Sequence, residues 1–494
     1  MKLVGVLFAV ALLLGACSSP PASSSPSRLG ASLPKCADDL SWRCGTVIVP
    51  MDRKTPSAGT IKIAFFVQGH IDTTKPALEP IFVSPGGPGS SIWADHSYLP
   101  MLAWDVRHDT VLIEPRGVGR SGAIVCQELQ ASILTAADLQ TATADCGRQL
   151  GSAADRYGTG DVALDIEDVR KALGVDSFDF YAASYGTVAE QAYVTRFSKR
   201  VHALVLDSGF VTNRVQDALG MGLPAAWIRV LSLMCQRNSD CAGAYPQPQD
   251  LVGWLVRRVA SRPIPNSLAS TTGPTLVDEA AIENLLSSIG MVIGRSLRIQ
   301  PKPLLDAGAA LKAGDPGPIL QLVDQPAAQT AGPPIDAAVS SNGDSAAASC
   351  NDQDFPWARA DSVAVREQKL AAAYAALPSN TFAPFTTAGW AAGNLSPDSC
   401  ITWPSPIRFE PVIPPGATFP SVPTLVMSGD EDASAPLELS RALLAEFPGA
   451  TFLIVAGVGH GAADPGWGSC GGSAVATFFD TLRVDPGACT TFNG

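Results

Sequence analysis

Short apolar runs bounded by Gly, Pro and Asp recur along the chain, and each reads as a buried strand. They fall at 46–49, 61–67, 80–84, 110–114, 178–182, 203–207, 424–428 and 451–456. Between several of them apolar residues return at helical spacing, over 163–173, 187–197 and 437–446. The first half therefore reads as antiparallel strands leading into βαβ units, and the last quarter resumes that alternation. This predicts an α/β fold with a mostly parallel central sheet and helices on both faces.

The middle of the chain breaks the pattern. From Val211 to Glu410 it is rich in Ala, Leu and Pro, strand signals are scarce, and helical spacing appears at 225–235, 251–260 and 280–293. Turn residues near 315–318 and 331–334 separate such segments. The expected organisation is a sheet domain in two parts, 36–210 and 411–494, with a helical lid at 211–410 inserted between its strands. No internal repeat is evident.

Composition narrows the function. The 494 residues carry a net charge of −12 and only 16% charged residues, which argues against a nucleic-acid partner, since phosphate binding needs a basic surface. There are 11 cysteines and no C-x-x-C pair, a pattern that favours disulfides and an oxidising compartment over zinc. No metal and no cofactor are expected.

The front end accounts for the odd cysteine. Lys2 precedes an apolar run, Leu3 to Leu14, followed by Gly15, Ala16, Cys17 and a Ser/Pro-rich stretch. A run this short is a secretory signal and not a membrane span. Leu14-Gly15-Ala16-Cys17 resembles the bacterial lipobox, so 1–16 is expected to be removed and Cys17 lipidated, with 17–35 as a flexible tether from the membrane. The alternative is an ordinary signal with a chance cysteine. The even remainder pairs most simply as near neighbours: Cys36–Cys44, Cys126–Cys146, Cys235–Cys241, Cys350–Cys400 and Cys470–Cys489. Spacing alone leaves other connectivities open.

The most informative segment runs from Phe178 to Thr187, where an apolar strand meets Ser184 and a helical pattern begins at once. Such a tight strand-to-helix turn lifts a serine hydroxyl clear of a sheet, and small residues two positions either side, here Ala182 and Gly186, let it form. The helix N-terminus then offers free N–H groups to a developing oxyanion. Two Gly-rich loops follow other strands: Ser84-Pro85-Gly86-Gly87-Pro88-Gly89, and Glu114-Pro115-Arg116-Gly117-Val118-Gly119-Arg120-Ser121-Gly122. The first can aim bare backbone at a substrate oxygen, making the N–H groups of Gly87 and Tyr185 the candidate oxyanion hole. The second lacks the G-K-[ST] of a phosphate loop and reads as a wall of the pocket.

The order strand–PGGPG–strand–EPRGVGRSG–strand–SYGT resembles the α/β-hydrolases related to proline iminopeptidase, and within them the secreted actinobacterial tripeptidyl aminopeptidases. The resemblance spans roughly 36–209 and 419–489. Pro85 in place of His, Glu114 in place of Asp and Ala182 in place of Gly depart from that family's pattern. It implies an α/β-hydrolase fold with a cap before the acid and base, and exopeptidase activity on free N-termini.

A serine nucleophile needs an imidazole base and a carboxylate to orient it. Of the five histidines, His202 and His460 follow the serine, as the fold's order requires. His202 opens a buried strand and reads as structural. His460, between glycines after the last apolar strand, is the expected base. The family's G-x-x-D pattern places the acid at Asp432, with Asp430 as competitor. A peptidase of this kind must also hold a substrate ammonium, and Glu114, Asp352 and Asp354 are the candidate carboxylates, set against a reading of all three as surface charges. The expected partners are a peptide substrate and, through the lipid, a membrane, with a monomer as the simplest assembly. Two alternatives stay open: a carboxylesterase or lipase-like lipoprotein using the same three residues, and a non-catalytic binding lipoprotein on a hydrolase fold.

Overall fold

The computed structural model describes residues 29–491 apart from 85, 95, 98–105, 131–135, 270–273, 291, 294–296, 299, 331–334, 407, 409 and 465–468. The signal-like segment, Cys17, the tether as far as 28, Pro85 and the turn expected at 331–334 lie outside the described residues.

Eight strands form one sheet: β1 (Arg43–Pro50), β2 (Thr60–Gln68), β3 (Ile81–Ser84), β4 (Thr110–Ile113), β5 (Phe178–Ala183), β6 (Val201–Asp207), β7 (Thr424–Gly429) and β8 (Thr451–Val455). Their order is β1-β2-β4-β3-β5-β6-β7-β8. Only β2 runs against its neighbours; the pairs from β4 to β8 are all parallel. Every residue of β3, β4 and β7 is buried, which is why their sequences read as unbroken apolar runs and not as alternating ones.

Helices cover both faces. On one, α1 (Thr159–Leu173) and α2 (Gly186–Phe197) pack Val162, Ile166, Ala192 and Tyr193 against Phe82 and Phe180. On the other, Val475 and Phe478 of the helix Ser469–Thr481 meet Val83, Tyr181, Val205 and Met427. Consecutive residues Phe180 and Tyr181 thus serve opposite faces, as the strand period of two requires.

Between β6 and β7 the chain builds a helical region with a core of its own, including Trp227, Val230, Leu255, Val256, Ile282, Leu286 and Trp390. Its helices include Leu223–Arg237, Pro248–Ser261 and Asn342–Asp352. The helix expected over 280–293 stops at Ser287, because Gly290 at φ +79° turns the chain out of it and the β-branched Val292–Ile293 forms a short strand with Leu297–Arg298. The helix Ala136–Leu150, which the sequence reading did not predict, is built largely from Ala, Thr, Gln and Asp; Ala142 and Cys146 face the core, and Cys126–Cys146 ties it to the preceding loop. Disulfides also join Cys36–Cys44, Cys235–Cys241, Cys350–Cys400 and Cys470–Cys489.

Candidate active site

In open parallel sheets the crevice beyond the carboxyl ends of the strands collects the functional loops. Ser184 follows β5, Asp432 follows β7 and His460 follows β8, so all three leave the sheet at that edge.

Ser184 has φ +57°, a left-handed conformation that costs a non-glycine residue strain and marks the sharp turn from β5 into α2. Its N–H bonds the carbonyl of Asp207 at 2.9 Å, and its own carbonyl accepts from the N–H of Thr187 at 3.0 Å and the Thr187 hydroxyl at 2.7 Å. The turn is therefore pinned from both sides while the serine stays partly open.

Asp432 is completely buried. Its Oδ1 accepts from the backbone N–H groups of Ser434 and Ala435 at 2.8 and 2.9 Å, which leaves Oδ2 to meet His460 Nδ1 at 2.9 Å. Burial alone would lower the imidazole's pKa, but the Asp432 charge and its hydrogen bond outweigh that and raise it above the usual 6.5. Gly429, at the end of β7, lets the two loops meet: a Cβ there would lie 2.1 Å from the Val458 carbonyl. Asp430 has other work, paired with Arg237 at 2.7 Å and accepting from Gly457 N–H at 2.9 Å.

The other histidines have partners of their own. His70 meets Asp109 at 2.6 Å and His96 meets Asp39 at 3.1 Å. His202 Nδ1 lies 2.7 Å from Asp179, where β5 and β6 begin, at the far end of the strands from Ser184.

In the first Gly-rich loop, the Cβ position of Gly86 lies 3.6 Å from Ser184 Cβ, whereas that of Gly87 faces the backbone of Gly89 and Ser90. Gly89 is held by the inserted region: its carbonyl accepts from Ser341 N–H at 2.8 Å, and a Cβ there would lie 2.2 Å from the Ser341 carbonyl. The same region reaches the acid loop through Trp227 Nε1, which donates to the Ala433 carbonyl at 2.7 Å, and through Arg229, which donates to the Asp430 carbonyl at 2.8 Å.

The three carboxylates expected at a substrate ammonium are not together. Glu114 has no exposed surface, and its two oxygens accept from the Ser91 hydroxyl and the Arg120 N–H, so it braces the two Gly-rich loops against each other and is closed to a substrate. Asp352 is also buried, accepting from Thr159 N–H and from the Tyr185 hydroxyl, each at 2.9 Å. It ties the inserted helix Asn342–Asp352 to α1 and to the residue beside the nucleophile. Burial pushes its carboxyl up to about 6. Asp354 alone is exposed, on the wall of a cavity of about 200 Å³ shared with Phe355, Trp357 and Arg359.

Two buried carboxylates escaped the sequence reading. Asp344 lies beside Ser84, Gly86 and Tyr185, and its Oδ1 accepts no hydrogen bond among the described residues. Asp207 ends β6 with its carboxylate under the His460 loop. A carboxylate at the end of an otherwise apolar strand was the available signal for the second; nothing in the sequence marked the first.

A family model described as "alpha/beta hydrolase fold" matches residues 79–241, and another described as "TAP-like protein" matches 383–489. With the sheet order above, they establish an α/β-hydrolase. The chain is homologous to tripeptidyl aminopeptidase of Streptomyces lividans, 25% identical over 516 residues that cover 94% of this chain and 87% of that one. It is also 30% identical to the serine protease Hip1 of Mycobacterium tuberculosis over 194 residues, 34% of this chain and 36% of that protein. Among solved structures, an epoxide hydrolase from an endophytic Streptomyces aligns at TM-score 0.40 and 14% identity, over 90% of this chain and 97% of that one.

Proposed function

We propose that this protein is an extracytoplasmic serine exopeptidase that removes short peptides, tripeptides among them, from free N-termini. The observation that carries the reading is the Asp432–His460 contact at the sheet edge where Ser184 sits in its strained turn. Similarity to a tripeptidyl aminopeptidase along 94% of the chain supports a peptide substrate.

The chemistry follows from these groups. Asp432 fixes the proton on His460 Nδ1, leaving Nε2 to accept the Ser184 hydroxyl proton as Oγ attacks the scissile carbonyl carbon. The oxyanion is stabilised by backbone N–H groups, those of Gly87 and Tyr185 being the candidates. His460 then protonates the leaving amine, the C–N bond breaks, and an ester to Ser184 remains. Water, deprotonated by the same imidazole, hydrolyses that ester and releases the N-terminal peptide. Asp354 is the one expected carboxylate still open to the substrate ammonium. The disulfides support an oxidising compartment, and a lipid on Cys17 would hold the enzyme at the outer side of a membrane.

Three substrates with matched leaving groups test this: a tripeptide arylamide, its N-acetylated form and a short acyl ester. The free-amine tripeptide should be turned over fastest. Ester turnover without amide turnover would instead identify an esterase. Cys17→Ser should release the protein from membranes.

A further inference from the structure

We propose that Asp207, acting with Ser208, is a positioning residue that locks the base loop, the nucleophile turn and the acid strand into one register. The proposal rests on the reading of Ser184, His460 and Asp432 given above.

Asp207 is fully buried at the carboxyl end of β6, between the strands that carry Ser184 and Asp432. Its carboxylate is saturated. Oδ1 accepts from Ala462 N–H at 2.8 Å and from the Ser208 hydroxyl at 3.1 Å; Oδ2 accepts from Ala463 N–H at 2.8 Å and from the Tyr181 hydroxyl at 3.0 Å. Having donated to Asp207, the Ser208 oxygen accepts from Gly461 N–H at 2.9 Å. Three consecutive N–H groups directly after His460 are thereby held by the last residue of β6 and the one that follows it.

The backbone of the same two residues completes the junction. The Asp207 carbonyl accepts from Ser184 N–H at 2.9 Å, and Ser208 N–H donates to the Met427 carbonyl of β7 at 2.8 Å. Ser208 itself sits at φ +50°, a strained conformation that the surrounding bonds must maintain. A buried carboxylate is costly unless its lone pairs are filled. Here the four donors offset that cost, and two of them, the N–H groups of Ala462 and Ala463, belong to the loop that bears His460. A structural strand end would need none of them.

The charge also bears on the base. Asp432 from the acid loop and Asp207 from below both favour the imidazolium of His460, while Tyr181 from β5, Glu190 from α2 and Asp464 from the base loop are the other titratable groups in this cluster. Removing the Asp207 charge while keeping its shape should therefore do two things that loss of stability would not. In Asp207→Asn, kcat should fall roughly 10- to 100-fold with KM within about twofold, and the acid limb of kcat/KM should move to lower pH. Ser208→Ala keeps the carboxylate's charge while freeing Gly461 N–H and removing one of the four donors to Asp207; it should lower kcat less and leave the acid limb in place. The rate at which a fluorophosphonate labels Ser184, compared at equal folded fraction by thermal melting, reads the same geometry without a peptide substrate.

Wild-type kcat and an unmoved acid limb in Asp207→Asn would overturn the proposal. If that variant fails to fold, wild-type kcat and labelling rate in Ser208→Ala would do so. The underlying reading fails separately: Ser184→Ala with undiminished turnover defeats it, whereas an inactive Ser184→Ala beside fully active Asp207→Asn defeats only the positioning role.

Discussion

Asp432 and His460 stand 28 residues apart in sequence and 2.9 Å apart in space. Adjacent parallel strands bring them together, since β7 and β8 discharge their loops at one edge. The partner is specific: Asp430, two residues earlier, bonds the Arg237 guanidinium instead. Asp432→Asn should lower kcat by about 10⁴-fold with little change in KM, because the imidazole loses its tautomer and its counter-charge. Asp430→Asn should stay active and melt at a lower temperature. Equal activity losses in the two variants would refute the assignment of the acid.

The same pair sets a pH dependence. His460 must be neutral to accept the Ser184 proton, and its pKa is raised above 6.5. Activity should therefore fall with decreasing pH through a midpoint above 6.5. Stability runs the other way: the contribution from the charged pair is fully present below the unfolded value and is lost as pH rises through the folded one. A kcat/KM profile alongside melting curves over the same range checks both signs.

Asp352 accepts from the N–H and the hydroxyl of Thr159 and from the Tyr185 hydroxyl, so its loss strands three donors. Asp352→Ala should cost about 1–3 kcal/mol, read as a lower denaturation midpoint. As its carboxyl titrates at about 6 and not at 3.8, its ionised form is penalised by folding; that penalty grows as pH rises between the two values and should vanish in Asp352→Asn. The ratio of free-amine to acetylated tripeptide turnover should not change. A collapse of that ratio would return Asp352 to the substrate.

Cys350–Cys400 closes the longest of the disulfide loops, its ends 50 positions apart in sequence, and ties the helix whose Asp352 contacts Tyr185 to the later part of the inserted region. Replacing both cysteines with alanine should destabilise the protein by about 2–5 kcal/mol. Melting of the double variant measures this, and an unchanged midpoint would show that packing alone holds the helix.

The helical region between β6 and β7 reaches the loops of the site. Ser341 grips the first Gly-rich loop, Asp352 grips Tyr185, and Trp227 with Arg229 grips the acid loop. None of these contacts was legible in the sequence, because each joins residues far apart in the chain and uses ordinary polar side chains with no motif around them.

What the sequence determined by itself is the set of local signals. The apolar runs became strands because strands buried on both faces tolerate little polarity, and Ser184 was marked by a strand running straight into a helix. The Gly-rich loops were visible because only glycine lets backbones approach so closely. The tertiary structure decided which carboxylates do which work. From the sequence Glu114 and Asp352 read as candidates for a substrate ammonium and Asp207 only as a strand end; burial and the donors around them separate two braces from a residue seated beneath the base. A carboxylate's role depends on what surrounds it in space, and strand order across the sheet, which no local pattern encodes, sets those surroundings.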